Sequence, residues 1–169
     1  MRAFVSVAGP PEPLAHAPPH LTLAFLGEVP DERADALVAS VAGAVAPRPT
    51  FEMGLTGFGA FPNPARPRVV FRHVGEGAAA LADLAAVTRQ ALERAGFDFD
   101  RRPFVPHLTV LRVRGPPELA RARSMLTDGT PPPPVRVRVA EVLVNASRLG
   151  PGGATHTVIG RCPLAPPTP

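Results

Sequence analysis

The sequence predicts an α+β protein with two antiparallel sheets, helices on the outside and a central groove where two strands meet. Three observations predict it. One short phrase occurs twice, as His20-Leu21-Thr22-Leu23 and His107-Leu108-Thr109-Val110. Each copy runs into the same punctuation, a proline ten residues after the His (Pro30 and Pro117) followed by an acid (Asp31 and Glu118) and an Ala/Leu-rich stretch. The remaining β-type segments are joined by short, turn-rich connections, which favour antiparallel pairing. With 169 residues, 45% of them apolar, the whole chain 1–169 can bury its core as a single domain.

The elements follow in order. Ala3 to Val7 reads as a strand, and Pro10, Pro11, Pro13, Pro18 and Pro19 exclude a helix from the loop after it. Leu21 to Leu26 reads as a strand, and Asp31 to Ala46 as a helix opened by Pro30 and an acid facing the helix dipole. Phe51 to Thr56 and Val69 to Val74 read as strands around a Gly/Pro-rich loop containing Phe58, Phe61 and Pro62. Ala78 to Ala95 carries Leu81, Leu84, Ala85, Thr88 and Leu92 near helical spacing, with Gly96 as the stop. Leu108 to Val113 is the second motif strand, Pro116 or Pro117 to Leu126 a third helix, and Pro131 to Pro134 a stiff connector. Val135 to Val139 alternates cleanly, and Glu141 to Ala146 with Thr155 to Ile159 reads as a hairpin around Gly150-Pro151-Gly152-Gly153.

Composition narrows the function classes. No segment approaches the roughly 18 uninterrupted apolar residues of a membrane span, and the apolar start is too short for a signal peptide. A cytoplasmic monomer is expected. Cys162 is the only cysteine, which excludes an internal disulfide and a cysteine-rich zinc site; it reads as a buried small hydrophobe. The formal charge of +4 comes from 18 arginines and no lysine, and favours an anionic partner such as RNA or a phosphorylated metabolite. Arg66, Arg68 and Arg72 form one cluster, and Arg101, Arg102, Arg112 and Arg114 bracket the second His phrase.

In a strand, alternation sends His and Thr to one side and the aliphatic residues to the other, so each phrase offers an imidazole beside a hydroxyl. Cleaving a phosphate ester requires one proton taken from the attacking group and one given to the leaving oxygen. Two imidazoles hold opposite protonation states near neutral pH and can do both. Thr hydroxyls and nearby backbone N–H groups can bind the nonbridging oxygens. No metal is needed for this. The competing reading, His20 and His107 as zinc ligands, lacks an Asp, Glu or Cys at ligand spacing. A nonenzymatic RNA-binding module would explain the charge but not the matched His/Thr pairs.

These residues resemble the two-histidine (2H) phosphoesterases, and more narrowly the RNA 2′,3′-cyclic phosphodiesterases, also called 2′-5′ RNA ligases. The resemblance runs through His20 to Gly27, through Arg102-Pro103-Phe104-Val105-Pro106-His107 to Arg112, and more weakly from Leu143 through Ser147 to Cys162-Pro163-Leu164. It implies a bilobal fold with pseudo-twofold symmetry and one HxT motif per lobe. It further implies hydrolysis of RNA 2′,3′-cyclic phosphate ends to 2′-phosphates without a cofactor, and reversible 2′-5′ joining of RNA ends. His107 would activate water, His20 would protonate the departing 3′ oxygen, and Thr22 and Thr109 would hold the phosphate. Arg112 matches a family arginine, although strict alternation turns it away from the groove unless a bulge intervenes. Phe25, at the equivalent position of the first copy, reads as core. Phe104 and Phe58 are the candidates for stacking on a base.

Two features depart from the family pattern. Gly9 to Pro19 replaces a helix usually found before the first motif, which would change substrate size preference, and His156 stands near the usual tail aromatic. A small-molecule phosphoesterase acting on cyclic nucleotides or ADP-ribose cyclic phosphate is the alternative activity. His16, His73 and His156 have no matched partner and read as incidental.

Overall fold

The computed structural model describes residues 1–10, 19–128, 132–150 and 153–167. Eight strands form two four-stranded sheets. The first contains β1 (Arg2–Ala8), β2 (His20–Glu28), β7 (Glu141–Gly150) and β8 (Gly153–Pro163), in the order β2-β1-β7-β8. The second contains β3 (Phe51–Phe61), β4 (Val69–Val74), β5 (His107–Arg112) and β6 (Val135–Val139), in the order β5-β4-β3-β6. Every pairing within the sheets is antiparallel, as the short connections predict. Each motif strand is an edge strand, and β2 and β5 approach each other with Cα atoms within 8 Å.

Three helices complete the fold. Asp31–Arg33 forms one 3-10 turn that leads into α1 (Ala34–Val45), so the Pro-acid start holds and the α-helix proper begins three residues later. In α2 (Ala78–Arg94) the expected stripe of Leu81, Leu84, Ala85, Thr88 and Leu92 is buried. Gly96 ends it with φ +69°, a left-handed conformation that favours glycine. The third helix, α3 (Pro116–Thr127), has its two prolines in the first turn, where a missing N–H costs little.

The core lies between helices and sheets. Leu37 and Val41 of α1, Leu81 and Leu84 of α2, and Leu21, Leu23, Leu108 and Val110 of the motif strands belong to one buried cluster. Thus the aliphatic half of each motif anchors its strand and the His/Thr half is left on the other side. Cys162 is fully buried in the same core, and burial pushes its thiol pKa up.

Several strands outrun their sequence limits. The longest extension at a single end is in β3, which continues through Phe61, so Phe58 and Phe61 lie in a strand rather than a loop. The hairpin of β7 and β8 closes with Gly150 opposite Gly153, while Pro151 and Gly152 lie outside the described residues. The Pro-rich segment 11–18, with His16, and Pro131 lie outside them too. The flanks of the first segment are tied together, since the Gly9 N–H donates to the Pro19 carbonyl at 2.8 Å.

Candidate active site

The two motif strands share one burial profile over their first six residues. His, Leu, Thr, Leu or Val, the next aliphatic residue, and then Phe25 or Arg112 run half-buried, buried, half-buried, buried, buried, exposed in both. Two consecutive buried residues break strict alternation, and the register explains why. On β1, Val5 pairs with Ala24 and Ser6 with Thr22, leaving Leu23 without an opposite number. On β4, Val70 pairs with Leu111 and Phe71 with Thr109, leaving Val110 likewise. Each motif therefore carries a β-bulge at its fourth residue, which reverses the facing of everything after it.

The bulges decide which side chains share a face, because residues directly opposite in a pair point the same way. Val69 and Phe71 lie two apart on β4 and pair with Arg112 and Thr109, so Arg112 shares the face of Thr109 and His107. The sequence required a bulge for this, and the structure supplies it. By the same logic Phe4 and Ser6 pair with Phe25 and Thr22, which puts Phe25 on the His20 face. Phe25 is 49% exposed, which corrects its assignment to the core.

Around His107 the geometry is tight. Its Nδ1–H donates to the Val105 carbonyl at 2.6 Å. Its ring lies 5.1 Å from Phe61 and 5.2 Å from Phe71, both roughly edge-on. Burial lowers its pKa, and the charges of Arg112 and His73 lower it further, against the raising effect of the carbonyl. With Nδ1 committed as a donor, Nε2 is left as the free acceptor of a neutral ring. His73 pairs directly opposite His107 and so shares its face. Gly59 makes room for this group, since a Cβ there would fall 2.7 Å from both the His73 imidazole and the Phe71 ring.

His20 has a matching but different surround. Its ring centroid lies 5.0 Å from Phe4 and 5.7 Å from His156. Phe4 is buried beneath both histidines, 5.0 Å from His156. Beside Thr22 sits a buried polar pair. Asn145 Nδ2 donates to Ser6 Oγ at 3.0 Å and to the Leu143 carbonyl at 3.2 Å, and Ser6 is the residue opposite Thr22. Buried polar groups persist where they are hydrogen-bonded, and this pair backs the floor under the first motif.

Three further expectations are revised. Phe58 pairs with Arg72 on the face opposite His107 and packs against the core, so it does not line the motif face; Phe61 takes that place. Arg72 separates from Arg66 and Arg68. It is buried, its Nε donating to the Thr56 carbonyl at 3.0 Å and Nη2 to those of Leu55 and Pro133 at 3.2 and 2.7 Å, so three backbone oxygens compensate its charge. Phe104 is half-buried against the core with the Arg89 guanidinium 5.6 Å from its ring, so Phe25 is the exposed ring beside the first motif. Sequence reasoning missed His73 and His156, which it set aside as incidental. The signal lay in the pairing register, which places His73 opposite His107 and His156 opposite Ser147 in the row that includes Arg2.

Comparison with known proteins bears on the family and the fold. The profile of the 2′-5′ RNA ligase superfamily matches residues 4–148. A protein named RNA 2′,3′-cyclic phosphodiesterase from Thermotoga maritima is 33% identical over 143 residues, which are 85% of this chain and 74% of the relative. The relatives of that name from Escherichia coli and Geobacillus stearothermophilus are each 40% identical, but the matched stretch is 57% of the former and 29% of the latter. Among solved structures, a Thermus thermophilus protein superposes with a TM-score of 0.77 at 26% identity, covering 97% of this chain and 98% of its own. Escherichia coli LigT without ligand gives 0.73 at 28% identity, covering 96% of each chain. The matched profile, the paired HxT strands and the two-sheet architecture agree: this chain belongs to the 2′-5′ RNA ligase superfamily.

Proposed function

We propose that the chain hydrolyses 2′,3′-cyclic phosphates at RNA 3′ ends to 2′-phosphates, using His20 and His107 as an acid–base pair. The observation that carries this is His107, whose Nδ1–H is held by Val105 and whose proton affinity is depressed. A neutral imidazole with Nε2 free is the state a general base requires. His107 Nε2 takes a proton from water as its oxygen forms a bond to phosphorus. The bond from phosphorus to O3′ breaks, and His20 delivers a proton to that oxygen. Thr22 and Thr109 donate to the nonbridging oxygens, and Arg112, on the same face as Thr109, balances the growing charge. Phe25 offers an exposed ring on the His20 face for the terminal base. An RNA 5′-hydroxyl in place of water would give a 2′-5′ bond by the same steps, which accounts for ligation as the second activity of one site.

The relatives named RNA 2′,3′-cyclic phosphodiesterase support the substrate class, and LigT has been crystallised with 3′-AMP and with phosphate. The test is incubation with 2′,3′-cyclic nucleotides and a cyclic-phosphate-ended RNA in EDTA, followed by product analysis. The expected product is the 2′-phosphate, and replacing either His by Ala lowers the rate by about 10²–10⁴-fold. A 3′-phosphate product reverses the leaving-group assignment. Unchanged rates in both variants end the acid–base reading.

A further inference from the structure

Four arginines share one end of the second sheet without acidic partners. Arg66 and Arg68 lie on the connection from β3 to β4, Arg112 ends β5 and Arg114 follows two residues later. Backbone bonds pin these segments together: the Arg68 N–H donates to the Phe61 carbonyl at 2.8 Å, and the Val113 N–H to the Arg68 carbonyl at 2.9 Å. All four side chains are exposed. Among the described residues none of the four guanidinium groups has an ion pair with a carboxylate. No acid occurs between Met53 and Gly75 or between Arg101 and Pro117.

The other arginines beside the second motif behave differently. Arg101 is paired with Glu93 at 2.7 Å, and Arg102 with Asp100. Basic residues neutralised by neighbours are solvated surface; a group of unneutralised ones at one edge is a concentrated positive field. That field adjoins the motif face, because Arg112 shares it with Thr109 and His107.

We propose that Arg66, Arg68 and Arg114 continue the groove beyond Arg112 as a track for the backbone phosphates of a single-stranded RNA whose cyclic end sits between the histidines. The inference rests on the reading of the groove given above and deepens it, from a cyclic phosphate to a cyclic phosphate on a strand. Arg114 lies two residues beyond Arg112, on the order of 7 Å further along the chain at about 3.3 Å per residue, and Arg66 and Arg68 precede Val69, the residue opposite Arg112 on β4. A cyclic mononucleotide whose phosphate meets the histidines and Arg112 engages none of these three. A strand does, and its phosphates meet guanidinium groups that no carboxylate competes for. The track therefore separates an RNA end from a free cyclic nucleotide, which the two motifs alone treat alike.

The test compares wild type with the triple variant Arg66→Gln/Arg68→Gln/Arg114→Gln on two substrates, a 2′,3′-cyclic mononucleotide and an oligoribonucleotide of about ten nucleotides ending in a cyclic phosphate. The expected result is a KM for the oligonucleotide raised by about tenfold, with the mononucleotide within about twofold of wild type. Binding of a fluorescent oligoribonucleotide with an unmodified 3′ end, followed by anisotropy against salt, should lose about 2 from its log–log slope, roughly 0.7 for each of three phosphate contacts. Equal losses on both substrates, or unchanged oligonucleotide binding, overturn the track. If wild type hydrolyses neither substrate while the variant still loses oligonucleotide binding, the track stands and the hydrolytic reading falls. Thermal unfolding of the variant, compared with the single Arg114→Gln change, separates lost binding from lost fold.

Discussion

The strands β2 and β5 are built to one plan and finished differently. Each begins with His, buries Leu, turns Thr back beside the His and bulges at the next residue. Five positions after the His, one bears the exposed ring of Phe25 and the other the guanidinium of Arg112. The neighbours differ in the same sense. His20 lies over buried Phe4 near a Ser6–Asn145 pair, whereas His107 lies against Phe61 and Phe71 with positive charge from Arg112 and His73 reaching it. Duplicated backbone geometry thus presents two imidazoles, the two proton-transfer groups of the proposed reaction. In the proposed reaction their unequal surroundings give them different work, one side facing the nucleotide base and the other the phosphate.

The largest effect that can break this comparison is loss of either imidazole, stated above as about 10²–10⁴-fold. Next comes Arg112→Ala, expected to lower kcat/KM by about 10²-fold through kcat, the scale of one preorganised charge-stabilising donor. Phe25→Ala should instead raise KM by about tenfold with kcat little changed, within the range for one stacked base. Steady-state kinetics of the two variants on one cyclic nucleotide tests the division directly. If both lower kcat alike, the two sides are not specialised.

Much of this arrangement was legible in the chain. The repeated phrase, its Pro-acid punctuation and the alternation rule placed His20, Thr22, His107 and Thr109 on their shared faces, and short connections gave the antiparallel sheets. Alternation failed one residue beyond each Thr, because the bulges at Leu23 and Val110 sit on ordinary aliphatic residues and arise from pairing with a distant strand. That is why Phe25 read as core and emerged exposed. The limit of β3 was misread for another reason. Gly57, Gly59 and Pro62 look like turn chemistry, yet Gly59 is a notch in a strand where the rings of Phe71 and His73 come close. The positions of His73 and His156 beside the two motifs depend on register, which the local sequence does not carry.

A smaller effect sharpens the electrostatic side of the comparison. His73→Gln removes a positive neighbour of His107, so the His107 pKa should rise. The base then stays protonated to a higher pH, and the acidic limb of the pH profile of kcat/KM moves upward. The corresponding change His156→Gln, in the other lobe, should leave that limb in place. Identical shifts from both would show that the limb does not report His107.

Stability separates from catalysis at Arg72. Its three carbonyl partners bridge β3 and the connector at Pro133 on the face away from His107. Arg72→Met should cost about 3 kcal/mol in chemical denaturation, from buried carbonyls left unpaired. At temperatures where the variant stays folded, KM should be unchanged. An unchanged denaturation midpoint would contradict the bracing role.

The most direct measurement is a crystal structure with a nucleoside 2′-phosphate, the product of the proposed reaction. The phosphate should lie within hydrogen-bonding distance of both imidazoles, His20 and His107, and of both hydroxyls, Thr22 and Thr109, with the base against Phe25. A phosphate held by the residues of one motif alone, with the other histidine out of reach, would contradict the account.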